Sequence, residues 1–187
     1  MAEHVCPIWV GHLLASPLRK LFQNPSKILG AYVSRGKHVL DVGSAMGFFS
    51  LYMASVVSPD GKVYSIDLQQ EMLDKLMEKA KAKNLDSSIE PINCSTNSLC
   101  IEDLEGKIDF ALIFAVLHEV TDQERFLGEV FNALRPGGTC LLSEPKGHVN
   151  QKAFELSLEL AEKVGFKLEH CPSIPRGLSV IMSKKRY

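Results

Sequence analysis

The chain has 187 residues, 45% of them hydrophobic and 23% charged, and a formal net charge of −1. That length carries one domain with a substantial core, and the near-neutral balance excludes a general pull toward nucleic acid or an anionic membrane. No apolar run approaches the ~20 residues of a bilayer span, and the start lacks the basic residues and long apolar core of a secretion signal, so a cytoplasmic protein is expected. Cys6, Cys94, Cys100, Cys140 and Cys171 are scattered without a Cys-x-x-Cys pair, which predicts reduced thiols.

Residues 1–36 precede the first strand. Met1 to Pro17 carries His4, Cys6, Trp9 and His12, and Pro7 and Pro17 interrupt any long helix. Asn24-Pro25 reads as an N-cap followed by proline at the first helical position, predicting a helix through Ile28 and Leu29, extending toward Tyr32-Val33, before Gly36 turns into the first strand. Val39 to Val42 is a short apolar run that reads as a buried strand. Gly43-Ser44-Ala45-Met46-Gly47 then turns the chain into the helix-compatible Phe48-Phe49-Ser50-Leu51. Glycine supplies the positive φ and close backbone approach of such a turn, and the free N–H groups of a following helix favour an acceptor group there. Asp41 places a carboxylate at the carboxyl edge of the sheet, where open α/β folds bind ligands.

Lys62 to Asp67 reads as a second strand, and it too ends in an acid, able to accept both hydroxyls of a ribose. A dinucleotide fingerprint needs glycine where this chain has Ala45 and Phe48, which disfavours a pyrophosphate and with it a nicotinamide-dependent reductase. A nucleoside whose other arm carries an ammonium for Asp41 fits better, and S-adenosylmethionine is that molecule. From there strands and helices alternate. Gln69 to Lys83 is an amphipathic helix, Ile89 to Cys94 a third strand and Ile108 to Phe114 a central fourth. Asp122 to Leu134 is a helix stopped by Pro136-Gly137-Gly138, and Thr139 to Ser143 is the fifth strand. Asn150 to Val164 is the last helix, followed by strands near Phe166–His170 and Leu178–Ser183. This alternation predicts an α/β, Rossmann-like, mostly parallel seven-stranded sheet with helices on both faces.

Asp41-Val42-Gly43-x-x-x-Gly47, Asp67, Leu117-His118-Glu119-Val120 and Leu134-Arg135-Pro136-Gly137-Gly138 resemble the class I S-adenosylmethionine-dependent methyltransferases, and most closely their small ubiquinone-biosynthesis-like (type 11) branch. The resemblance runs from Lys37 to the end and implies a methyltransferase domain over 37–187 whose last strand pair is antiparallel. It also implies that 1–36 forms a segment and helix covering the site. Ala45 stands where the family has glycine, and Ser95 where it commonly has the acid that holds the adenine amino group. The resemblance implies Asp41, Gly43, Ser44 and Gly47 around the methionine arm, Asp67 on the ribose, Leu68 and Ser95 at the adenine, and Phe114 and Ala115 beside the methyl.

Methyl transfer asks little of a protein beyond placing the acceptor in line, and a base is needed only if the acceptor must lose a proton. His118, just past the fourth strand, is either an ordering residue of its loop or the catalytic proton acceptor. His4, Cys6, His118, Glu144 and His148 are of types that suit a metal, but their spacing does not support a site, and no metal ligand is assigned. The expected function is methyl transfer to a small-molecule acceptor by a monomer or homodimer, without nucleic-acid or membrane partners. The alternatives are transfer involving a corrinoid, metal or metalloid acceptor, and a non-catalytic module of the same fold.

Overall fold

The computed structural model describes residues 23–186, so the expectations placed on His4, Cys6, Trp9 and His12 lie outside the described residues. Seven strands form one sheet: β1 (His38–Val42), β2 (Lys62–Asp67), β3 (Ile89–Asn93), β4 (Ile108–Phe114), β5 (Leu134–Pro145), β6 (Lys167–His170) and β7 (Gly177–Ser183). Their order is β3-β2-β1-β4-β5-β7-β6. The first five pair in parallel, and β7 runs antiparallel to both β5 and β6. The chain reverses its winding beside β1, where β1 pairs with both β2 and β4. This is the topological switch point at which an open sheet leaves a crevice above its carboxyl ends.

Helices α1 (Pro25–Leu29), α2 (Ser50–Val57) and α3 (Gln70–Lys81) cover one face, and α4 (Gln123–Ala133) and α5 (Gln151–Val164) the other. The two-residue alternation of the central strands assigns the faces. Val39, Phe110, Leu112 and Phe114 pack with Leu29, Met53 and Leu76, whereas Leu40, Val42, Ala111 and Ile113 pack with Phe126, Val130 and Phe154. The Asn24 side chain accepts from Ser26 N (3.0 Å) to cap α1, and the Asn150 side chain accepts from Ala153 N (2.9 Å) to cap α5.

Two local features differ from expectation. Pro136-Gly137-Gly138 does not separate helix from strand but is spliced into β5, whose register with β4 jumps from Ile108↔Leu134 to Phe110↔Thr139. Gly137 N donates to Lys184 O (2.8 Å) and Lys184 N to Gly138 O (3.0 Å), so a distant segment keeps these glycines in the sheet. The helix after Gly47 starts only at Ser50, residues 45–49 forming turns. Between β3 and β4 there is a single short turn of helix, Glu102–Leu104, in place of a full crossover helix. The described part of the N-terminal segment lies on the sheet face: Leu29 and Val33 are buried, and Tyr32 stacks on Phe110 (5.6 Å between centroids).

Candidate functional site

The loops that follow β1, β2, β4 and β5 meet at the carboxyl edge. After β1 the backbone folds back on β2: Gly43 N and Ser44 N both donate to Ile66 O (2.9 Å each). Gly43 has φ +72°, and a Cβ there would stand 2.6 Å from Val116 Cγ2, so only glycine lets the loops after β1 and β4 meet this closely. Ala45 adopts φ +46°, a region an alanine occupies under strain. The Ser44 hydroxyl is buried and, among the described residues, without a hydrogen-bond partner. Lys79 of α3 ties the loop down by donating to Met46 O (3.2 Å).

Asp67 ends β2 half-buried. Its Oδ2 accepts from Ala45 N (2.8 Å) and its Oδ1 from Gln69 N (2.9 Å), so the acid organises the β1 loop. Burial raises its carboxyl above its ordinary value, against the lowering effect of backbone donors at Gln69, Ala45 and Leu68. Leu68 beside it is 41% exposed, a large apolar side chain standing in water at the binding edge. Asn93, which sequence reasoning did not single out, clamps this stretch: its Nδ2 donates to Asp67 O (3.1 Å) and Leu68 O (2.9 Å). A lone polar residue at a strand end gives no sign of such a role in the sequence.

The other expected residues are placed as follows. Asp41 is only 2% exposed and accepts the Ser50 hydroxyl, so its carboxylate joins β1 to the start of α2. Gly47 takes φ +81° where a Cβ would collide with Leu76. The Ser95 hydroxyl is turned into its own tight turn, accepting from Asn97 N (3.3 Å), with Ser95 N donating to Ser98 O (2.9 Å). Phe114 points into the core against Phe49 (4.7 Å between centroids), and Ala115 N donates to Ser143 O (2.8 Å).

Past β4 and β5 the site is built around a buried acid. Glu144, 2% exposed, accepts from Val116 N (3.2 Å) and Leu117 N (2.9 Å) through Oε1 and from His118 Nδ1 through Oε2. It caps the short helical turn Leu117–Glu119 and grips its histidine. Gln123 Nε2 donates to Leu117 O (3.0 Å) and Gln123 Oε1 accepts from Ser157 (2.8 Å), fastening the turn to α5. The His118 ring meets His148 edge-on (5.4 Å between centroids), and its Nε2 lies 4.0 Å from Glu119 Oε1. The Glu144 hydrogen bond raises the His118 pKa above its ordinary value despite burial, and burial raises that of Glu119. Burial pushes the Cys94 thiol up to about 12, which keeps it protonated. Among the described residues no group of three or more His, Cys, Asp or Glu side chains could hold a metal ion, and no helix is long and apolar enough to cross a membrane.

The methyltransferase-domain family matches residues 33–178. A ubiquinone/menaquinone biosynthesis C-methyltransferase of Cronobacter sakazakii is 29% identical over 71% of this chain and 54% of its own length. A tRNA 5-carboxymethoxyuridine methyltransferase of Escherichia coli is 29% identical over 68% of this chain and 48% of its own. The chain thus spans about half the length of such curated relatives. A methyltransferase structure from Aquifex aeolicus shares the fold with a TM-score of 0.84 at 24% identity, covering 96% of this chain and 99% of that one. The family match takes in β1 through β5 and both acids at the edge, and the chain belongs to the class I S-adenosylmethionine-dependent methyltransferases.

Proposed function

We propose that the protein binds S-adenosylmethionine above β1 and β2 and methylates a small-molecule acceptor held beside His118. When bound there, the cofactor supplies a methyl group already activated on a sulfonium. The observation that carries the reading is the buried Ser44 hydroxyl without a partner in a loop that the ribose-binding acid itself holds. A buried hydroxyl without a hydrogen bond is costly, and a polar ligand in the loop would satisfy it. Both Asp67 oxygens already hold a backbone N–H, Ala45 on Oδ2 and Gln69 on Oδ1, which fixes the carboxylate with accepting capacity left for a ribose hydroxyl. Leu68, held in water by the Asn93 clamp, offers a flat apolar surface to an adenine. Gly43, Gly47 and Ala115 keep the backbone close around the methionine arm and methyl, with Asp41 and Phe114 bracing the loop from below.

At the acceptor end His118 is the group able to take a proton. A small acceptor fits a chain of net charge −1 better than a nucleic acid does. A metal or corrinoid reading would rest on His4 and Cys6, outside the described residues. A non-catalytic module is favoured by two observations, strained Ala45 and the inward-turned Ser95 hydroxyl. Calorimetric titration with S-adenosylhomocysteine decides: binding near micromolar, weakened at least about tenfold by Asp67→Ala, supports the enzyme. Absence of binding by the unaltered protein at millimolar ligand would hand the argument to the module.

A further inference from the structure

We infer that Glu144 is a positioning residue that fixes His118 with its proton on Nδ1 and its lone pair on Nε2, facing an acceptor hydroxyl that must give up its proton; the identity of that acceptor site rests on the function proposed above. An ionised carboxylate only accepts. Its Oε1 is taken by the Val116 and Leu117 N–H groups, so the carboxylate cannot swing away, and its Oε2 receives His118 Nδ1. Nδ1 must therefore carry the hydrogen, and the neutral ring presents a bare Nε2. The ring is 21% exposed, at the edge where β4 and β5 end.

The groups facing this imidazole are Glu144 from β5, Glu119 from its own turn and His148 from the loop after β5. Glu119 stands too far from Nε2 to hold it in a hydrogen bond. The proton step balances simply. The acceptor O–H bond breaks, an Nε2–H bond forms, the oxygen keeps the electron pair, and the imidazolium is held against Glu144. An amine that is neutral at the working pH carries a free pair and needs no base before bonding, whereas a hydroxyl must shed its proton as the bond to carbon forms, and the carboxylate–imidazole pair is built for that second case. The logic is that of the histidine–aspartate half of a serine protease triad, where the carboxylate sets the tautomer and is not itself protonated.

The test is nitrogen–hydrogen NMR correlation of ring-labelled histidine in the unaltered protein and in Glu144→Gln. Gln can still accept from Val116 and Leu117 N–H through its oxygen, but it turns an NH2 donor toward Nδ1. The expected result, at a pH above the His118 titration midpoint, is a bare Nε2 in the unaltered protein. In the variant the proton moves to Nε2 and the His118 titration midpoint falls by about one pH unit or more. Affinity for S-adenosylhomocysteine, measured on the same samples, stays within about twofold. A neutral His118 protonated on Nε2 in the unaltered protein overturns the proposal without recourse to any variant. So does an unchanged midpoint in Glu144→Gln, or a tenfold loss of affinity there, which would make Glu144 a general structural support. Failure of the unaltered protein to bind S-adenosylhomocysteine would strike the cofactor reading alone, because the tautomer is read independently of it.

Discussion

Asp67 and Glu144 occupy equivalent places, each at the carboxyl end of a parallel strand on either side of β1 and β4, yet they are used in opposite ways. Asp67 is half-buried with accepting capacity left over, and its neighbours, the orphan Ser44 hydroxyl and exposed Leu68, are incomplete in the same sense. Glu144 is sealed off, with three donors on two oxygens and almost no exposure. An acid that stays partly exposed can meet a ligand directly, whereas an acid sealed in the interior acts through the residue it holds. The half of the edge around β2 is built to be completed by something else, and the half around β5 is complete in itself.

The sharpest way to break this contrast is truncation of each acid. Glu144→Ala strands two N–H groups in the interior and is expected to cost about 3 kcal/mol, read as a drop of roughly 10 °C in the thermal midpoint. Glu144→Gln should lose less than about 1 kcal/mol, because the two backbone caps survive. Asp67→Ala should instead fall mainly on binding, about 2 kcal/mol or roughly thirtyfold in S-adenosylhomocysteine affinity by calorimetry. If Asp67→Ala destabilises the ligand-free fold as much as Glu144→Ala, the two acids are alike and the contrast is lost.

Ser44→Ala sharpens the comparison, since its two effects should have opposite signs. Removing an unpartnered buried hydroxyl is expected to stabilise the ligand-free protein by up to about 1 kcal/mol. It should also weaken S-adenosylhomocysteine binding by about fivefold. Denaturant unfolding with and without ligand measures both.

Stability against pH separates the two halves again. Both Asp67 and His118 have folded pKa values raised above their ordinary ones, Asp67 by burial and His118 by its bond to Glu144. A raised folded pKa gives a contribution that is complete below the unfolded pKa and lost as pH rises through the folded one. The Asp67 contribution is thus lost as pH rises past the ordinary aspartate value, and that of His118 as pH rises past the ordinary histidine value. In His118→Asn the decline in unfolding free energy from pH 6 upward should flatten, while the acid limb stays as it was. The smallest effect is expected from Ala45→Gly. Relief of the left-handed backbone outweighs the added freedom of glycine by about 0.5 kcal/mol, a gain visible as a slightly higher thermal midpoint.

Most of the fold was legible because the central strands β1, β2 and β4 are largely apolar runs set off by glycines and acids, and the expected and observed strands agree to within a residue at most ends. Where legibility failed, a long-range partner overruled a local signal. Pro136-Gly137-Gly138 reads as a stop, yet Lys184 recruits it into β5. Asp41 reads as a ligand-facing acid at the edge, yet the Ser50 hydroxyl that engages it is nine positions later on a helix whose start no cap residue announces. Within the candidate site, the motif residues themselves were visible, but the groups that hold them were not. Glu144 was noticed only as one of several scattered polar residues, because nothing in a sequence says which acid will be buried under which turn. Asn93 and Gln123 act through backbone carbonyls, which leave no trace in residue type.

The placing of β7 between β5 and β6 has a consequence for how the chain is made. Ribosomes deliver residues in order, and β6 emerges before β7, the strand it pairs with among the described residues. Until Gly177–Ser183 arrives, β5 presents an open parallel-sheet edge lined by Cys140, Leu141 and Leu142, and β6 has nothing to join. Nascent chains paused within that interval are therefore the species most exposed to edge-to-edge association. A set of released chains truncated on either side of β7 should change from chaperone-bound to protease-resistant once Gly177–Ser183 is included.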